Sequence, residues 1–357
     1  MTSTAPRLSV VVPCYNEEEV LAETARRLGE ALDRLIEARR IGEKSRVYFV
    51  DDGSVDRSWA IIEQLRQRSE RFHGIKLSRN RGHQNALMAG LLTVPGDVVI
   101  SIDADLQDDV DAFDSMLAAH EQGADVVYGV RSARQTDTMF KRTSAWAYYR
   151  LLGWMGVQLM YDHADFRLLS RRAIEALRAY GESNLFLRAL IPQLGFKTAA
   201  VSYQRSERIA GTSKYPLTRM VSLGLDGITS FSIRPLRIIF LLGLAISVLS
   251  FALGIWALVA ALVFQVTVPG WASTVVPIYF VCGVQMLCLG VIGEYIGKIY
   301  LETKRRPRFM IEHRTWSGED AAALHTTAGV GDAEGREAEI PRNRAASTRG
   351  QSHSRPT

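Results

Sequence analysis

Asp97-Val98-Val99-Ile100-Ser101-Ile102-Asp103-Ala104-Asp105 is a β-branched apolar run that stops on two carboxylates one residue apart. A short apolar run bounded by polar residues predicts a buried strand, here running from Asp97 to Ile102 with the acidic triplet on the loop that leaves it. Upstream the same pattern recurs. Leu8-Ser9-Val10-Val11-Val12-Pro13 is an apolar strand ending in a breaker, and Glu17 to Ala38 has helical apolar spacing. Val47-Tyr48-Phe49-Val50 runs into Asp51-Asp52-Gly53-Ser54, with a helix expected from about Asp56 to Arg68; Gly74-Ile75-Lys76-Leu77 is a third strand, followed by a helix over Gly82 to Leu92. Strands and helices alternating at this interval predict an α/β domain with a parallel sheet and helices on both faces. Ligands of such sheets collect at the carboxyl ends of the strands, so the polar clusters after Val12, Val50, Leu77 and Ile102 converge on one crevice.

Two carboxylates spaced like Asp103 and Asp105 can offer one oxygen to a ribose and another to a hard divalent cation, and Gln107 adds a neutral oxygen. A cation there would neutralise charge developing on a departing diphosphate. Asp51 and Asp52 also end a strand and can accept from a base N–H or a ribose hydroxyl; helix capping is the alternative, though Ser54 or Asp56 could do that instead. The acidic run Asn16-Glu17-Glu18-Glu19 opens a helix, where the dipole favours acidic residues with or without a ligand.

Far downstream, Ile238 to Gly293 runs 56 residues without an Asp, Glu, Lys, Arg or His. One helical span needs roughly 20 apolar residues, so this stretch holds two, about 238–264 and 275–299. Gln265 to Ser273 between them carries Pro269, Gly270 and Trp271 and reads as a loop. Arg234 and Arg237 precede the first span, and Lys298, Lys304, Arg305, Arg306 and Arg308 follow or close the second, while the loop has no basic residue. The positive-inside tendency then puts both termini, and with them the α/β domain, on the cytoplasmic side of the cell membrane. The formal charge of +5 is accounted for by lipid headgroups and does not call for nucleic acid. Three cysteines, Cys14, Cys282 and Cys288, have neither metal-ligand spacing nor a disulfide framework, consistent with a reducing compartment. No charged-then-apolar leader of the secretory type precedes Leu8.

Ser9-Val10-Val11-Val12-Pro13-Cys14-Tyr15-Asn16-Glu17-Glu18, Val50-Asp51-Asp52-Gly53-Ser54, Asp103-Ala104-Asp105-Leu106-Gln107 and Asp165-Phe166-Arg167-Leu168 resemble the successive signatures of glycosyltransferase family 2. Leu77 to Leu87, Arg208 to Tyr215 and the double span ending Ile292 to Tyr300 resemble, more narrowly, the polyprenyl-phosphate glycosyltransferases. The resemblance covers roughly residues 8 to 310. It implies a Rossmann-like GT-A domain that binds a UDP- or GDP-hexose with Mg²⁺ or Mn²⁺ and transfers the sugar, with inversion, to a polyprenyl phosphate in the membrane. Carried onto this chain, Pro13, Tyr15, Glu17, Val50 and Asp52 would hold the nucleoside, and Asp103, Ala104, Asp105 and Gln107 the ribose, metal and diphosphate. Arg131, Arg208 and Lys214 match phosphate-gripping positions, and Asp165 matches the aspartate assigned as catalytic base.

Elementary chemistry qualifies that last assignment. A lipid phosphate has a second pKa of about 6 by analogy with phosphoserine, so it is already an anion at neutral pH and needs little deprotonation. Cations should matter more: Lys141 and Arg142, beside Arg131, are the candidates to receive the acceptor phosphate, and Asp165 is read as an orienting group. Leu217 to Phe231 has one apolar face and is expected to lie in the membrane interface. The chain is thus divided into a short tail (1–7), the GT-A domain (8–215), an amphipathic juxtamembrane helix (216–236), the two-helix hairpin (237–300), and a basic segment with a tail (301–357) expected to be disordered from about Glu312. A processive polysaccharide synthase would resemble chains with more spans and a Gln-x-x-Arg-Trp motif, which does not occur here. UDP-glucose is the expected donor, with GDP-mannose and modified aminosugars as alternatives; a homo-oligomer is compatible with the sequence.

Overall fold

A computed structural model of the chain describes residues 5–131, 150, 163–182, 187–204, 232–263 and 271–316. In chain order the elements are β1 (Leu8–Cys14), α1 (Leu21–Glu37), β2 (Arg46–Asp51), α2 (Ser58–Arg68), β3 (Phe72–Leu77), α3 (His83–Thr93), β4 (Val98–Ser101), α4 (Ala112–Glu121) and β5 (Val126–Arg131). They continue with β6 (His163–Ser170), α5 (Arg171–Arg178), α6 (Leu187–Gln193), β7 (Thr198–Tyr203), α7 (Arg234–Val263), α8 (Trp271–Thr303) and β8 (Ile311–Arg314).

The strands form one eight-stranded sheet in the order β7-β5-β6-β4-β1-β2-β3-β8. β1 to β4 are parallel where they pair, as the alternation predicts. The all-parallel expectation fails further on: β6 runs antiparallel to both β4 and β5, and β8 antiparallel to β3. Antiparallel β6 brings Arg167 opposite Ser101, which carries Asp165 to the end of β4 where the acidic triplet leaves.

The period-2 alternation decides which residues fill each side. Val10, Val12, Phe49 and Ile100 face the layer of α1, α2 and α4, whereas Val11, Tyr48, Val50 and Val99 face α3, α5 and α6. Helix α3 reaches the sheet closely because it carries Gly90: a Cβ there would meet Val11 Cγ1 at 2.4 Å and Val50 Cγ2 at 2.9 Å.

Helices α7 and α8 are built differently. Their apolar windows, Arg234–Leu253 and Phe280–Thr303, have mean hydropathies of 2.4 and 1.6, and neither is buried within the protein. Both are long and apolar enough to cross a membrane. Helix α8 begins at Trp271, so Trp271, Ala272 and Ser273 belong to the helix and not to the expected loop. The Tyr295 hydroxyl of α8 donates to the carbonyl of Ser232, just ahead of α7, at 2.5 Å.

The expected disorder from Glu312 is also corrected. Residues 311–314 form β8 on the edge of β3, Gly74 N donates to Thr315 Oγ1 at 2.8 Å, and the Trp316 ring lies 5.1 Å from that of Tyr48 and 5.4 Å from that of His73. β8 becomes the edge of the sheet, short and carrying charged side chains as edges commonly are, and the Trp316 ring against Tyr48 and His73 supplies the burial that the polar composition of the tail hid. The amphipathic segment expected at 217–231 and the tail beyond Trp316 lie outside the described residues.

Candidate active site

The loops leaving β1 and β2 are laced into one wall. Asn16, in the left-handed region at φ 54°, donates from its N–H to Ser54 Oγ at 3.0 Å and accepts on Oδ1 from Val55 N at 2.9 Å. Glu17 N donates to Ser58 Oγ, and Glu18 N to Asp56 Oδ2. Asp56 also accepts at 2.9 Å from the N–H of Ser58, the first residue of α2, while Asp51 Oδ1 accepts from Ser54 N at 3.2 Å within its own turn. Gly53, at φ +71°, lies so close to the Arg79–Asn80 backbone that a Cβ would come within 2.6 Å of it. That approach lets Asp52, almost fully buried, accept from Arg81 N at 2.7 Å and Gly82 N at 2.8 Å, one on each oxygen. Asp52 therefore fixes the loop ahead of α3 as well as standing in the crevice.

The other nucleoside candidates fall into two groups. Tyr15 is exposed at the mouth and Glu17 is half-buried. Pro13 and Val50, paired across β1 and β2, are buried, and the Val50 side chain packs under α3. Alternation along β2 turns Val50 inward, which a motif match does not see.

Around the acidic triplet, Ala104 is buried and its carbonyl accepts from Thr24 Oγ1 at 2.8 Å. Asp105 Oδ1 accepts from Gln107 N at 3.2 Å across Leu106, which is buried with φ at 57°. A γ-branched residue in the left-handed region is strained, and the strain sits directly after the second carboxylate of the triplet. Asp103 Oδ1 is buried with no hydrogen-bond partner and lies 3.5 Å from His83 Nε2. Burial, with the neighbouring charges of Asp165, Asp108 and Asp105, pushes its carboxyl up to about 6 despite the pull of His83. A solvent-poor carboxylate oxygen with nothing to accept from, among like charges, fits a site for a hard cation. No three His, Cys, Asp or Glu side chains converge in cation-holding geometry among the described residues. Asp103, Asp105 and Gln107 would thus leave coordination positions for diphosphate oxygens, the usual arrangement for Mg²⁺.

Asp165 stands across from the triplet in a cage of donors. Arg167 Nη2 donates to Oδ1 at 2.5 Å, Arg188 Nε to Oδ1 at 3.4 Å and Nη2 to Oδ2 at 3.3 Å, and Gln84 Nε2 to Oδ2 at 3.3 Å, with His83 Nε2 3.5 Å away. Burial alone would raise its pKa, but the His83 contact and the charges of Arg167 and Arg188 hold the carboxyl far below the usual range. The same two carboxylates raise the His83 imidazole although its burial works the other way. Arg167 is fully buried, and its Nε and Nη1 have no hydrogen-bond partner.

His83, Gln84, Arg188, Asp108 and Tyr203 were not singled out as site residues from the sequence. His83 and Gln84 lie inside the Leu77–Leu87 motif, and Asp108 follows Gln107 directly, so a signal was present for these. Arg188, on the seven-residue α6, left none. Arg131 lies half-buried beside the crevice, bound to Asp108 and Tyr203. Lys141, Arg142, Arg208 and Lys214 fall outside the described residues.

A parallel α/β half joined through an antiparallel strand to a second half, with an Asp-x-Asp turn on the loop between them, is the GT-A arrangement, and the protein is a glycosyltransferase. The family model "Glycosyl transferase family 2" matches residues 9–178. The "Uncharacterized glycosyltransferase YkoT" of Bacillus subtilis (strain 168) is 49% identical over 314 residues, covering 87% of this chain and 93% of that protein. The "Bactoprenol glucosyl transferase" of Shigella phage SfX is 38% identical over 312 residues, covering 86% and 99%. Among solved structures, mannosyl-3-phosphoglycerate synthase from Rubrobacter xylanophilus is similar over 65% of this chain and 74% of its own, at a TM-score of 0.44 and 15% identity. The chain belongs to glycosyl transferase family 2.

Proposed function

We propose that this protein moves a glucosyl group from UDP-glucose to a polyprenyl phosphate, with inversion, at the cytoplasmic face of the membrane. One observation carries the reading: a crevice lined by Asp103, Asp105 and Asp165 belongs to a chain followed by two long helices whose apolar windows are not buried within the protein. Such a chain suits one water-borne and one lipid-borne substrate. The name of the phage relative, matched over nearly its whole length, supports bactoprenol as acceptor and glucose as the sugar. GDP-mannose and modified aminosugars are the alternatives, since a carboxylate such as Asp52 suits uracil and guanine alike.

In the reaction an oxygen of the lipid phosphate bonds to the anomeric carbon as the bond from that carbon to the nucleoside diphosphate breaks on the opposite face. Mg²⁺ or Mn²⁺, held by Asp103, Asp105 and Gln107, would supply Lewis-acid stabilisation of the leaving diphosphate. The acceptor is already an anion, so the demand on the protein is to bring two anions together. Arg208 and Lys214 are assigned to that task at the donor's phosphates, and Lys141 and Arg142, with Arg131 beside them, to the incoming lipid phosphate. Asp165, saturated by arginines, has little basicity to offer; it orients Arg188 and the donor sugar. Incubating membranes with labelled UDP-glucose and GDP-mannose in parallel tests the whole reading. Label should enter a solvent-extractable lipid from UDP-glucose alone; label appearing only in polymer or protein, or from GDP-mannose alone, refutes it in the corresponding part.

A further inference from the structure

Asp108, Arg131 and Tyr203 close a ring of hydrogen bonds that the motifs do not predict. Tyr203 Oη donates to Asp108 Oδ1, Arg131 Nε donates to Tyr203 Oη at 3.2 Å, and Arg131 Nη2 donates to Asp108 Oδ1 at 3.4 Å. Each member stands where its segment leaves the sheet. Asp108 follows the metal-binding turn, Arg131 ends β5, and Tyr203 ends β7, with Arg131 and Tyr203 directly paired in the β5–β7 register. The segments beginning after Arg131 and after Tyr203 hold Lys141 and Arg142, and Arg208 and Lys214, respectively.

The ring is rigid on one side and open on the other. The Asp108 side chain is 1% exposed and Tyr203 is buried edge-on against Phe166, 5.1 Å between centroids, while the Arg131 side chain keeps 31% of its surface. Asp108 Oδ2 is buried without a hydrogen-bond partner. A buried carboxylate satisfied on one oxygen is a costly way to stabilise a fold, and an apolar pair would do so more cheaply. It is an effective way to hold an arginine in one rotamer, because the guanidinium fork uses two different nitrogens on two fixed partners. A lysine offers a single point charge and cannot reproduce that grip.

We propose that Asp108 and Tyr203 are positioning residues that fix the Arg131 guanidinium at the crevice edge for the lipid phosphate, and so tie the metal-binding turn to the acceptor side of the site. This rests on the assignment of Arg131 to phosphate given above. It adds two residues whose function is exerted only through that arginine.

Steady-state kinetics on purified protein with a short polyprenyl phosphate and UDP-glucose test it. Tyr203→Phe keeps the ring against Phe166 and removes the hydroxyl. It should raise the apparent KM for the lipid on the order of tenfold, with the KM for the sugar nucleotide little changed. Asp108→Asn should act in the same direction, and Arg131→Lys should not restore wild-type lipid KM. The decisive arm is a double-mutant cycle: in an Arg131→Gln background, Tyr203→Phe should add nothing, because its only route of action is gone. Additive effects, or equal rises in both KM values, would assign the ring a purely structural role and overturn the proposal. Should Arg131→Gln leave the lipid KM unchanged, the phosphate assignment itself falls. If Arg131→Gln raises it and Tyr203→Phe does not, that assignment stands and only the positioning role is lost.

Discussion

Replacing Asp165 with asparagine separates a catalytic base from a structural anion. The Arg167 guanidinium has no exposed surface, two of its nitrogens lack hydrogen-bond partners, and the Asp165 carboxylate at 2.5 Å supplies its countercharge. Asp165→Asn keeps the shape but leaves a buried cation unneutralised, which costs about 3–5 kcal/mol. For a domain of this size the midpoint of thermal unfolding should drop on the order of 10 °C, measured in detergent or nanodiscs alongside initial transfer rates. Because the carboxyl is held below its unfolded value, its stabilising contribution is complete above a pH of about 4 and is lost as pH falls further. The gap between wild type and mutant should therefore be flat from pH 6 to 8 and shrink in acid. Adding Arg167→Met should recover much of the lost stability, since removing both partners of a buried pair is far less harmful than removing one. A mutant with wild-type thermal stability and a turnover loss on the order of 10²–10⁴ across neutral pH would mean that Asp165 is a base after all.

Asp105→Ala should abolish transfer, and Asp103→Ala nearly so, with folding and membrane insertion intact; activity that survives either change or a chelator would exclude the metal-assisted route. Tags at either terminus should resist protease added outside the cell, whereas a tag near Pro269 should be cut, and the reverse pattern would place the crevice away from cytoplasmic sugar nucleotides. Gly90→Ala should destabilise the sheet domain by about 1–3 kcal/mol, because its methyl would press into Val11 and Val50; an unchanged unfolding midpoint would show that α3 can move away. Trp316→Ala should cost about 2 kcal/mol and speed amide exchange along β3, while unchanged exchange there would show that the tail merely rests on the edge.

What could be read in advance follows the range of the forces involved. Strands β1 to β4 and the Asp103–Asp105 turn are local patterns, each strand followed at once by its helix, so alternation of apolar residues revealed them. Direction was not local for β6: it follows β5 only after about thirty residues and β4 after about sixty, and Asp165-Phe166-Arg167-Leu168 has no feature that distinguishes an antiparallel strand. Strand β8 was missed because Ile311-Glu312-His313-Arg314 is polar on three of four positions and is a strand only because β3 offers an edge. The carboxylate crevice was legible from motifs, but the cage around Asp165 was not, since Arg188 arrives from 23 residues away and reaches Asp165 only in the folded chain. Val50 is a motif position whose side chain the strand's alternation turns into the core, so any part it takes in holding a nucleoside falls to its backbone.

The pairing of β3 with β8 joins Gly74 to Thr315, 241 residues later, across both apolar helices. A ribosome makes β3 early and β8 only after both apolar helices, so β3 stands at the margin of the sheet until the last described strand has been made. Because β3 and β8 share one sheet, the chain before α7 and the chain after α8 lie on the same side of anything the helices cross. An even number of crossings is compatible with this pairing and a single crossing is not, so the two helices cross together or not at all.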